Sequence, residues 1–408
     1  MRRGGNFIYA IDVTNPTNPI MLWRVDNTSA GMSELGQTWS QPKVTAVQGY
    51  CGGSACSSTN RPSPVLIFGA GYDVNEDTDP PANADASGRG IFVLDALTGA
   101  KVWSATYSSG GTTAYTGNTS VASALVAGMN YSIPADITLV DRDFDGYTDR
   151  LYAADTGGNI WRVDLEPSGN ATPNYWRIYQ LGALGCSGGA CAFPVSPAQR
   201  KLFYPPEIIT ATNTAPYDSI IAGSGDREHP LYNSSERYND LFLIKDIYTG
   251  SDATGMVTTT MGSLFNATIN PWDGTLNGYF ITLGINEKVV NAPLATAGFV
   301  YMGTNQPSVP SANACNGNLG TARGYQLSPF AGTYKSVVFN GGGLPPSAVS
   351  GIVNIDIGGV MTPVPFMIGG GNPTCTGGAD CASALGVQKP PITVPTNRSR
   401  TYRYIEGK

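Results

Sequence analysis

A short hairpin unit that recurs along the chain constrains the fold more than any other feature. Each unit is an apolar strand that is closed by an aspartate and followed by a turn and, in several copies, by a strand that contains tryptophan. The strands span residues 7–12, 91–95, 159–164 and 241–246, and a weaker copy that ends on serine spans residues 324–328. One supersecondary unit repeated at a long interval indicates a repeat architecture.

The repeat predicts an all-β chain folded as a β-propeller, with blades that are incomplete or modified. A propeller protects strand edges by stacking small sheets radially, and 51 glycines with 29 prolines suit many short strands joined by tight turns. Segments 73–88 and 104–133 are expected to project from the blades as long inserted loops. A pair of β-sandwiches is the alternative, although a sandwich has no reason to repeat one hairpin.

The predicted domain boundary follows a change in composition near the C-terminus. Residues 1–385 are expected to form the propeller, and residues 386–408 a proline-rich linker with a basic tail. The linker contains Lys389 to Pro395, and the tail contains Arg398, Arg400 and Arg403 with two tyrosines. Such a tail can be a stiff connector and anchor or a frayed terminus.

Charge and hydrophobicity exclude two classes of partner. The net charge is −6 and the basic residues are scattered, so the chain lacks the basic patch of a nucleic-acid-binding protein. No run reaches the roughly 18 apolar residues of a membrane helix, and the start of the chain lacks the apolar segment of a signal peptide. We therefore expect neither nucleic-acid binding nor membrane insertion.

The seven cysteines indicate an oxidising compartment. Cys51 and Cys56, Cys186 and Cys191, and Cys375 and Cys381 are close pairs separated by small, flexible residues, while Cys315 stands alone. Short loops of this kind can close into disulfides. Structural zinc is the alternative, but it favours cysteine knuckles accompanied by histidines, and the chain contains only His229.

An acidic loop between residues 141 and 149 predicts a calcium site. Four aspartates occur in the series Asp141, Asp143, Asp145 and Asp149, with Gly146 at the sixth position. Calcium requires six to eight oxygen ligands, and a loop bent by glycine can wrap them around one point. We expect the four carboxylates and the main-chain carbonyl of Tyr147 to bind Ca²⁺.

This acidic loop is not an EF-hand, because Tyr152 occupies the position of the bidentate glutamate and strands rather than helices are expected on either side. A solvated acidic turn without an ion is the alternative. A second alternating run from Asp73 to Asp79 lacks the glycine at its sixth position, so it is either a second calcium site or an acidic loop.

Several motifs, taken in order, resemble the C-terminal propeller of the PilY family, the adhesins at the tips of bacterial type IV pili. The resemblance covers nearly the whole chain. It is carried by the segments 2–5, 9–16, 22–23, 68–72, 141–149, 152–155, 158–162, 221–225 and 303–307, and by Cys315. The turn at residues 223–226 departs from the Gly-Thr-Gly-Arg pattern of the family, so a role tied to that turn is not carried over.

The resemblance implies an extracellular, cell-surface protein of the pilus tip, exported through the periplasm. It implies a calcium-binding biogenesis factor that modulates pilus extension, retraction and twitching motility and mediates attachment to a host or surface ligand. Minor pilins or the pilus-tip complex are the implied partners. Because family members carry an N-terminal half and further propeller strands, a separate N-terminal PilY segment is another expected partner.

Two other functions remain as alternatives to this adhesin. The unit at residues 94–103 also resembles the blade repeat of quinone-dependent dehydrogenases, but the chain has no adjacent cysteine pair to cover a quinone. A hydrolase would depend on His229, and no Gly-x-Ser-x-Gly elbow occurs, so we expect no enzymatic activity. A purely structural module that docks minor pilins is the other alternative.

Overall fold

The computed structural model describes residues 5–52, 56–57, 61–78, 83–112, 123–166, 171–186, 200–211, 216–231, 238–308, 319–369 and 383–388. Within these ranges the chain forms β-strands and three short 3-10 turns, with no α-helix. The 3-10 turns are Val74–Asp77, Pro173–Tyr175 and Met261–Ser263. Residues 389–408 of the linker and tail that were predicted from residue 386 lie outside the described residues, as do Cys191, Cys315, Cys375 and Cys381.

The strands form six sheets that follow one another along the chain. Sheet 1 is the hairpin of β1 (Phe7–Asp12) and β2 (Ile20–Asp26). Sheet 2 has the order β3-β4-β5-β6-β7, with the strands β3 (Lys43–Ala46), β4 (Pro64–Gly69), β5 (Gly90–Asp95), β6 (Lys101–Thr112) and β7 (Ser123–Val126).

Sheets 3 and 4 repeat the arrangement of sheet 2, an antiparallel meander with one parallel strand at its edge. Sheet 3 has the order β15-β11-β10-β9-β8, with β8 (Thr138–Val140), β9 (Arg150–Ala154), β10 (Asn159–Asp164), β11 (Arg177–Ala183) and β15 (Thr259–Thr260). Sheet 4 has the order β12-β13-β14-β17-β16, with β12 (Glu207–Ile209), β13 (Asp218–Gly223), β14 (Asp240–Asp246), β16 (Phe265–Asn266) and β17 (Gly278–Thr282).

Sheets 5 and 6 complete the series. Sheet 5 has the order β18-β20-β21-β22 with β19 paired to β20; its strands are β18 (Lys288–Val289), β19 (Leu294–Thr296), β20 (Phe299–Gln306), β21 (Thr321–Ser328) and β22 (Thr333–Val338). Sheet 6 contains β23 (Val349–Ile357), β24 (Val360–Ile368) and β25 (Val387–Gln388). Strand β25 lies beyond residue 385, so sheet pairing continues past the predicted domain boundary.

The recurring unit of the sequence forms strands β1, β5, β10, β14 and β21, and each of them pairs with the next strand of its sheet. The closing aspartates stabilise the turns that follow. Asp12 accepts a hydrogen bond from the main-chain N–H of Thr14 (2.8 Å), and Asp95 accepts one from that of Thr98 (2.8 Å). Aspartate side chains commonly stabilise turns through such local bonds.

Among the described residues the core consists of four apolar clusters, and each cluster lies between two successive sheets. Trp23, Phe68 and Phe92 join sheets 1 and 2, whereas Trp103 and Trp161 belong to the cluster between sheets 2 and 3. Similar clusters join sheet 3 to sheet 4 and sheet 4 to sheet 5. This sequential packing is that of a propeller, because a sandwich would place one core between two facing sheets.

Two segments that were expected to project as loops are in fact integrated into the fold. Ser104 to Thr112 belong to strand β6. Strand β7 pairs with β6 in parallel and so covers the outer edge of sheet 2. Within the described parts of the segment 73–88, the side chains of Glu76 and Asp85 are both buried. The expectation that residues 73–88 and 104–133 project from the blades was therefore wrong for residues 104–112 and 123–126 and for the buried Glu76 and Asp85, whereas residues 79–82 and 113–122 lie outside the described residues.

The cysteine prediction is confirmed where the structure describes it. Cys51 and Cys56 form a disulfide that closes the connection between β3 and β4. Cys186 is also disulfide-bonded, and its predicted partner, Cys191, lies outside the described residues.

Candidate metal centre

The acidic loop forms the hairpin connection between β8 and β9, both strands of sheet 3. Its C-terminal end is fixed to the sheets by main-chain hydrogen bonds from Asp149 N to Val140 O (3.0 Å) and from Thr148 N to Ala46 O (2.9 Å). Leu165 N donates a third bond to Asp149 O (2.8 Å). A β-scaffold therefore holds the loop, as the flanking sequence predicted.

The loop curls back on itself through two residues with a left-handed backbone conformation. Phe144 has φ 62° and Gly146 has φ 92°, and the second value explains the glycine because side-chain-bearing residues rarely adopt left-handed conformations. Gly146 N donates to Asp141 Oδ2 (3.0 Å), and Asp145 N donates to Asp143 Oδ1 (3.1 Å). These bonds hold two carboxylates on the inner side of the turn.

The structure brings three of the predicted ligands together. Carboxylate oxygens of Asp141, Asp143 and Asp149 lie within 4.8 Å of one another. One oxygen of Asp141 and one of Asp149 are buried and accept no hydrogen bond. A buried carboxylate oxygen without a donor is costly, and hard cations bind such oxygens. The donor set therefore fits a divalent cation such as Ca²⁺.

The other two predicted ligands are not part of this carboxylate group. Asp145 is exposed, and its oxygens accept bonds from Tyr147 N (2.8 Å) and Gln48 Nε2 (3.5 Å). Gln48 lies just beyond β3 of sheet 2, so Asp145 connects the loop to the neighbouring sheet. Ligation by Asp145 and by the carbonyl of Tyr147 stays a prediction.

Glu166 is a further acidic residue at this centre that sequence reasoning missed. It follows β10 by two residues, and burial, together with the charges of Asp149, Asp145 and Asp143, raises the pKa of Glu166 to about 7. Burial likewise raises the pKa of Asp149, with Asp143 and Asp145 contributing. One oxygen of Glu166 is buried without a hydrogen-bond partner. In the sequence, the one signal for Glu166 is its position just after β10, the strand that pairs with β9 at the end nearest the acidic loop.

Two arginines connect the loop to sheet 4. Arg142 lies between two of the clustered aspartates, and Arg150 directly follows the third. The Nε atom of Arg142 lies 3.1 Å from Asp218 Oδ2, and the Nη1 atom of Arg150 lies 2.9 Å from the same oxygen. Asp218 is the first residue of β13 and is buried. A shift of the loop would therefore be transmitted to the neighbouring sheet.

A cavity of about 140 Å³ lies beside the clustered carboxylates. Its lining includes Asp143, Asp149 and Glu166, the arginines Arg142 and Arg150, and the segment Thr249 to Ser251. Water or an ion can thus approach the carboxylates from this side.

A second acidic region lies in the interior, and we call it the buried hub: Glu76, Asp85, Lys201, Asp226 and His229. Lys201 Nζ is 2.7 Å from Glu76 Oε2 and 3.0 Å from Asp226 Oδ2. Burial opposes ionisation of Lys201, but the two carboxylates raise its pKa overall. Burial and the charge of Glu76 raise the pKa of Asp85 well above its usual range.

His229 belongs to this hub and holds two parts of the chain together. Its Nδ1 atom is 2.9 Å from Asp226 Oδ2, and its Nε2 atom is 2.9 Å from the carbonyl of Asp77. Both ring nitrogens are therefore occupied, which supports the structural role expected for this histidine. Asp73 is likewise engaged, because its side chain accepts bonds from Asn75 N, Ala86 N and Ser87 N. Asp79, the last residue of the second acidic run, lies outside the described residues.

Six successive sheets, the first five of them joined by apolar clusters, carry a carboxylate loop between two adjacent strands and define a β-propeller with a candidate calcium centre. The fold is similar to the crystal structure of the Pseudomonas aeruginosa PilY1 C-terminal domain, with a TM-score of 0.54 and 20% sequence identity over 81% of this chain and 65% of that chain. The prediction of an all-β, modified propeller is confirmed by this likeness of fold.

Curated relatives point the same way. A type IV pilus biogenesis factor PilY1 homolog from Xylella fastidiosa (strain Temecula1 / ATCC 700964) is 24% identical over 341 residues, which is 77% of this chain and 20% of that protein. The type IV pilus biogenesis factor PilY1 of Pseudomonas aeruginosa (strain UCBPP-PA14) is 29% identical over 162 residues, or 40% of this chain and 10% of that protein. No protein-family model matches the chain.

The resemblance to the PilY family is confirmed by these relatives and by the fold. This chain spans about a fifth, or less, of the length of the curated proteins. Among the described residues, no helix has the length and apolar character needed to cross a membrane.

Proposed function

We propose that this chain is the calcium-binding propeller of a type IV pilus biogenesis factor, a non-enzymatic protein of the cell surface. It acts at the pilus tip, where it contacts minor pilins, modulates pilus extension and retraction, and mediates attachment to a surface ligand. The family resemblance supports the pilus role, since the curated relatives carry that description. One structural observation carries the calcium role: two buried carboxylate oxygens without donors beside a third carboxylate.

Calcium in this loop would neutralise charges that the chain itself leaves uncompensated. Asp141, Asp143 and Asp149 supply the closest oxygens, while Asp145 and the Tyr147 carbonyl complete the predicted set. Bound calcium supplies a fixed positive charge at the end of sheet 3. Because Arg142 and Arg150 join the two ends of the loop to Asp218, ordering the loop also fixes the position of sheet 3 relative to sheet 4.

This coupling gives calcium a means of regulating the pilus tip. Loss of the ion would restore repulsion among at least three carboxylates and loosen the contact between two sheets. A tip protein that loosens and tightens with calcium can bias pilus extension against retraction. Residues 389–408, the part of the predicted connector that follows β25, would then join the propeller to the rest of the tip complex.

Chemical unfolding in calcium and in chelator tests the metal site. At a hundredfold excess over its dissociation constant, calcium is expected to raise the free energy of unfolding by about 2.7 kcal/mol. Asp149→Asn is expected to lose most of this increase, and Asp145→Ala tests the outer predicted ligand. Asp273→Asn is the matched control, since Asp273 is a fully exposed turn aspartate whose bond to Thr275 N an asparagine can also accept.

In chelator, the sign of the change in the free energy of unfolding caused by Asp149→Asn distinguishes a metal site from a purely structural loop. Without calcium, Asp149→Asn removes like-charge repulsion, so its free energy of unfolding should equal or exceed that of the wild type by up to about 1 kcal/mol. Identical unfolding of the wild type in calcium and in chelator would contradict the calcium site.

The pilus role is tested in the full-length protein in its own bacterium. Deletion of the gene is expected to reduce surface pili and twitching, and the wild-type gene should restore both. The Asp149→Asn gene should restore pili but abolish the response of twitching to calcium. Normal piliation in the deletion strain would contradict the pilus function while leaving the calcium site intact.

A further inference from the structure

A second cavity has a volume of about 180 Å³ and is lined by residues from several widely separated segments of the chain. Five of its lining residues each lie shortly before a strand of sheets 2 to 6. Trp39 shortly precedes β3, Asp136 precedes β8, Tyr204 precedes β12, Ala292 precedes β19 and Ser347 precedes β23. The connections that enter sheets 2, 3, 4 and 6, together with the link between β18 and β19 of sheet 5, therefore converge on one point.

This convergence locates the cavity at the propeller axis. Equivalent positions from radially arranged sheets are far apart at the rim and meet only at the centre. Cross-links between the walls shape the cavity. The hydroxyl of Tyr204 donates to the carbonyl of Val290, and Asn291 Nδ2 donates to Pro346 O (3.1 Å). We call this cavity the axial pocket.

Aromatic rings form one wall of the axial pocket and are held in place by packing. Trp39 is stacked on the buried Tyr72, with ring centroids 4.7 Å apart and an interplanar angle of 18°. Tyr72 in turn contacts Phe203, with centroids 6.3 Å apart. Trp39 and Phe203 both line the pocket. Rigid aromatic faces of this kind bind the apolar faces of ring-shaped ligands.

Arg227 supplies a cation without a carboxylate partner. Its guanidinium lies over the ring of Tyr204, 5.5 Å from the centroid. In the part of the chain that the structure describes, it forms no ion pair or hydrogen bond, although the chain has a net charge of −6. The adjacent Asp226 is already paired with Lys201 and His229. An arginine held by an aromatic ring in a concave site is suited to a planar anion such as a carboxylate.

Asp136 supplies an acceptor at the same pocket. Its Oδ1 atom accepts a hydrogen bond from Gln41 N (2.6 Å), which fixes the side chain. Its second oxygen has no partner within the described ranges. Because a carboxylate accepts hydrogen bonds and repels other anions, this oxygen suits a ligand that also carries hydroxyl donors.

We propose that the axial pocket binds an acidic monosaccharide, such as the terminal uronic acid of a glycan. The ring would lie against the aromatic wall, its carboxylate would pair with Arg227, and a hydroxyl would donate to Asp136. The cavity is smaller than the roughly 300 to 1,000 Å³ of pockets for drug-sized ligands, so it takes a single ring rather than a longer chain. A simple carboxylate would leave Asp136 unused, and a neutral sugar would leave Arg227 unpaired. This inference does not rest on the pilus role or on the metal loop.

Calorimetric titration with three matched probes tests the pocket: D-glucuronate, D-glucose, which lacks the carboxylate, and acetate, which lacks the ring and hydroxyls. D-glucuronate is expected to bind at least tenfold more tightly than either of the others. Equal affinity for acetate and D-glucuronate would overturn the proposal and leave a simple anion site. The absence of measurable D-glucuronate binding would overturn it as well.

Substitutions of Arg227 and Asp136 test which part of the sugar each side chain contacts. Arg227→Gln should weaken D-glucuronate binding about tenfold and leave D-glucose binding unchanged, whereas Asp136→Asn should weaken both sugars but not acetate. Arg61→Gln, a change at an exposed arginine that does not line the pocket, is the control. All variants should keep the wild-type unfolding midpoint, which shows that the fold is intact. An Arg227→Gln protein that binds D-glucuronate as well as the control does would contradict the proposal.

Discussion

The metal loop and the buried hub are both rich in carboxylates, but they compensate their charge in different ways. In the hub, Glu76 and Asp226 share the ammonium group of Lys201, and Asp226 also pairs with His229. In the loop, Asp141, Asp143 and Asp149 have no lysine or arginine partner among the described residues, because Arg142 and Arg150 point to Asp218 instead. The hub contains its own cationic side chains, Lys201 and His229, whereas the loop carboxylates can be neutralised by a bound metal ion.

Position in the fold explains this difference. The hub is buried between the sheets, where an uncompensated charge is very costly, so the cation is a covalent part of the chain. The loop lies at the end of a hairpin beside an accessible cavity, where water can solvate the carboxylates until an ion binds. Only the second arrangement can respond to the concentration of an ion in the surroundings.

The largest expected effect comes from removing the internal cation of the hub. Lys201→Met leaves Glu76 and Asp226 buried without their shared partner, which should lower the free energy of unfolding by roughly 3 to 5 kcal/mol. Urea unfolding measures the loss, and calcium should not restore it. Lys245→Met, at a lysine of sheet 4 that lies outside the hub, is the control. A loss below about 1 kcal/mol would show that the hub does not depend on Lys201.

A smaller effect is expected where the external cation binds. Glu166→Gln removes a negative charge that faces the loop without disturbing its turn, so calcium affinity should fall about tenfold. Calcium titration followed by calorimetry gives the value. Glu34→Gln, at a carboxylate paired with Arg89 on another part of the surface, should leave the affinity unchanged. Unchanged affinity in Glu166→Gln would mean that this residue plays no part in the metal centre.

The smallest expected effect is a pH dependence that belongs to the hub. The hydrogen bond and charge of Asp226 raise the pKa of His229 above its usual value of 6.5. A raised pKa means that the folded state binds the proton more tightly than the unfolded state. The stabilisation is therefore complete below about pH 6.5 and is lost as the pH rises through the folded-state pKa.

His229→Gln should remove this pH dependence. Its free energy of unfolding should approach that of the wild type as the pH rises above the folded-state pKa, and the gap should widen as the pH falls toward 6. Urea unfolding across this range in chelator measures the difference and keeps calcium from contributing. A gap that does not vary with pH would show that folding does not raise the pKa of His229.

Much of the fold could be predicted from local sequence patterns. An apolar strand, closed by aspartate in four of its five copies, sets the period of the propeller, because each copy pairs with a neighbouring strand of its own sheet. The acidic loop was also predictable, since the glycine that bends it and the alternating carboxylates all lie within residues 141–149. Cys51 and Cys56 were predictable for the same reason, because a short flexible connection closes easily.

Predictions were wrong or incomplete where distant segments meet. Residues 73–88 look like a polar loop, yet Glu76 is buried because Lys201 lies beside it, 125 positions further along the chain. Residues 104–112 look like a polar insertion, yet they extend β6 because β7 covers the edge. Glu166 was missed because only the pairing of β9 with β10 brings it to the loop.

The sequence by itself determined the recurring strands, their aspartate-stabilised turns, the acidic loop and the short-range disulfide, because each depends on residues that are neighbours in the chain. Only the tertiary structure decided which carboxylates find a cation within the chain and which do not. The tertiary structure alone brought Arg142 and Arg150 to Asp218. It also brought connecting segments from five sheets to one axial pocket. These contacts depend on how the sheets stack, and stacking is set by apolar clusters contributed by residues far apart in sequence.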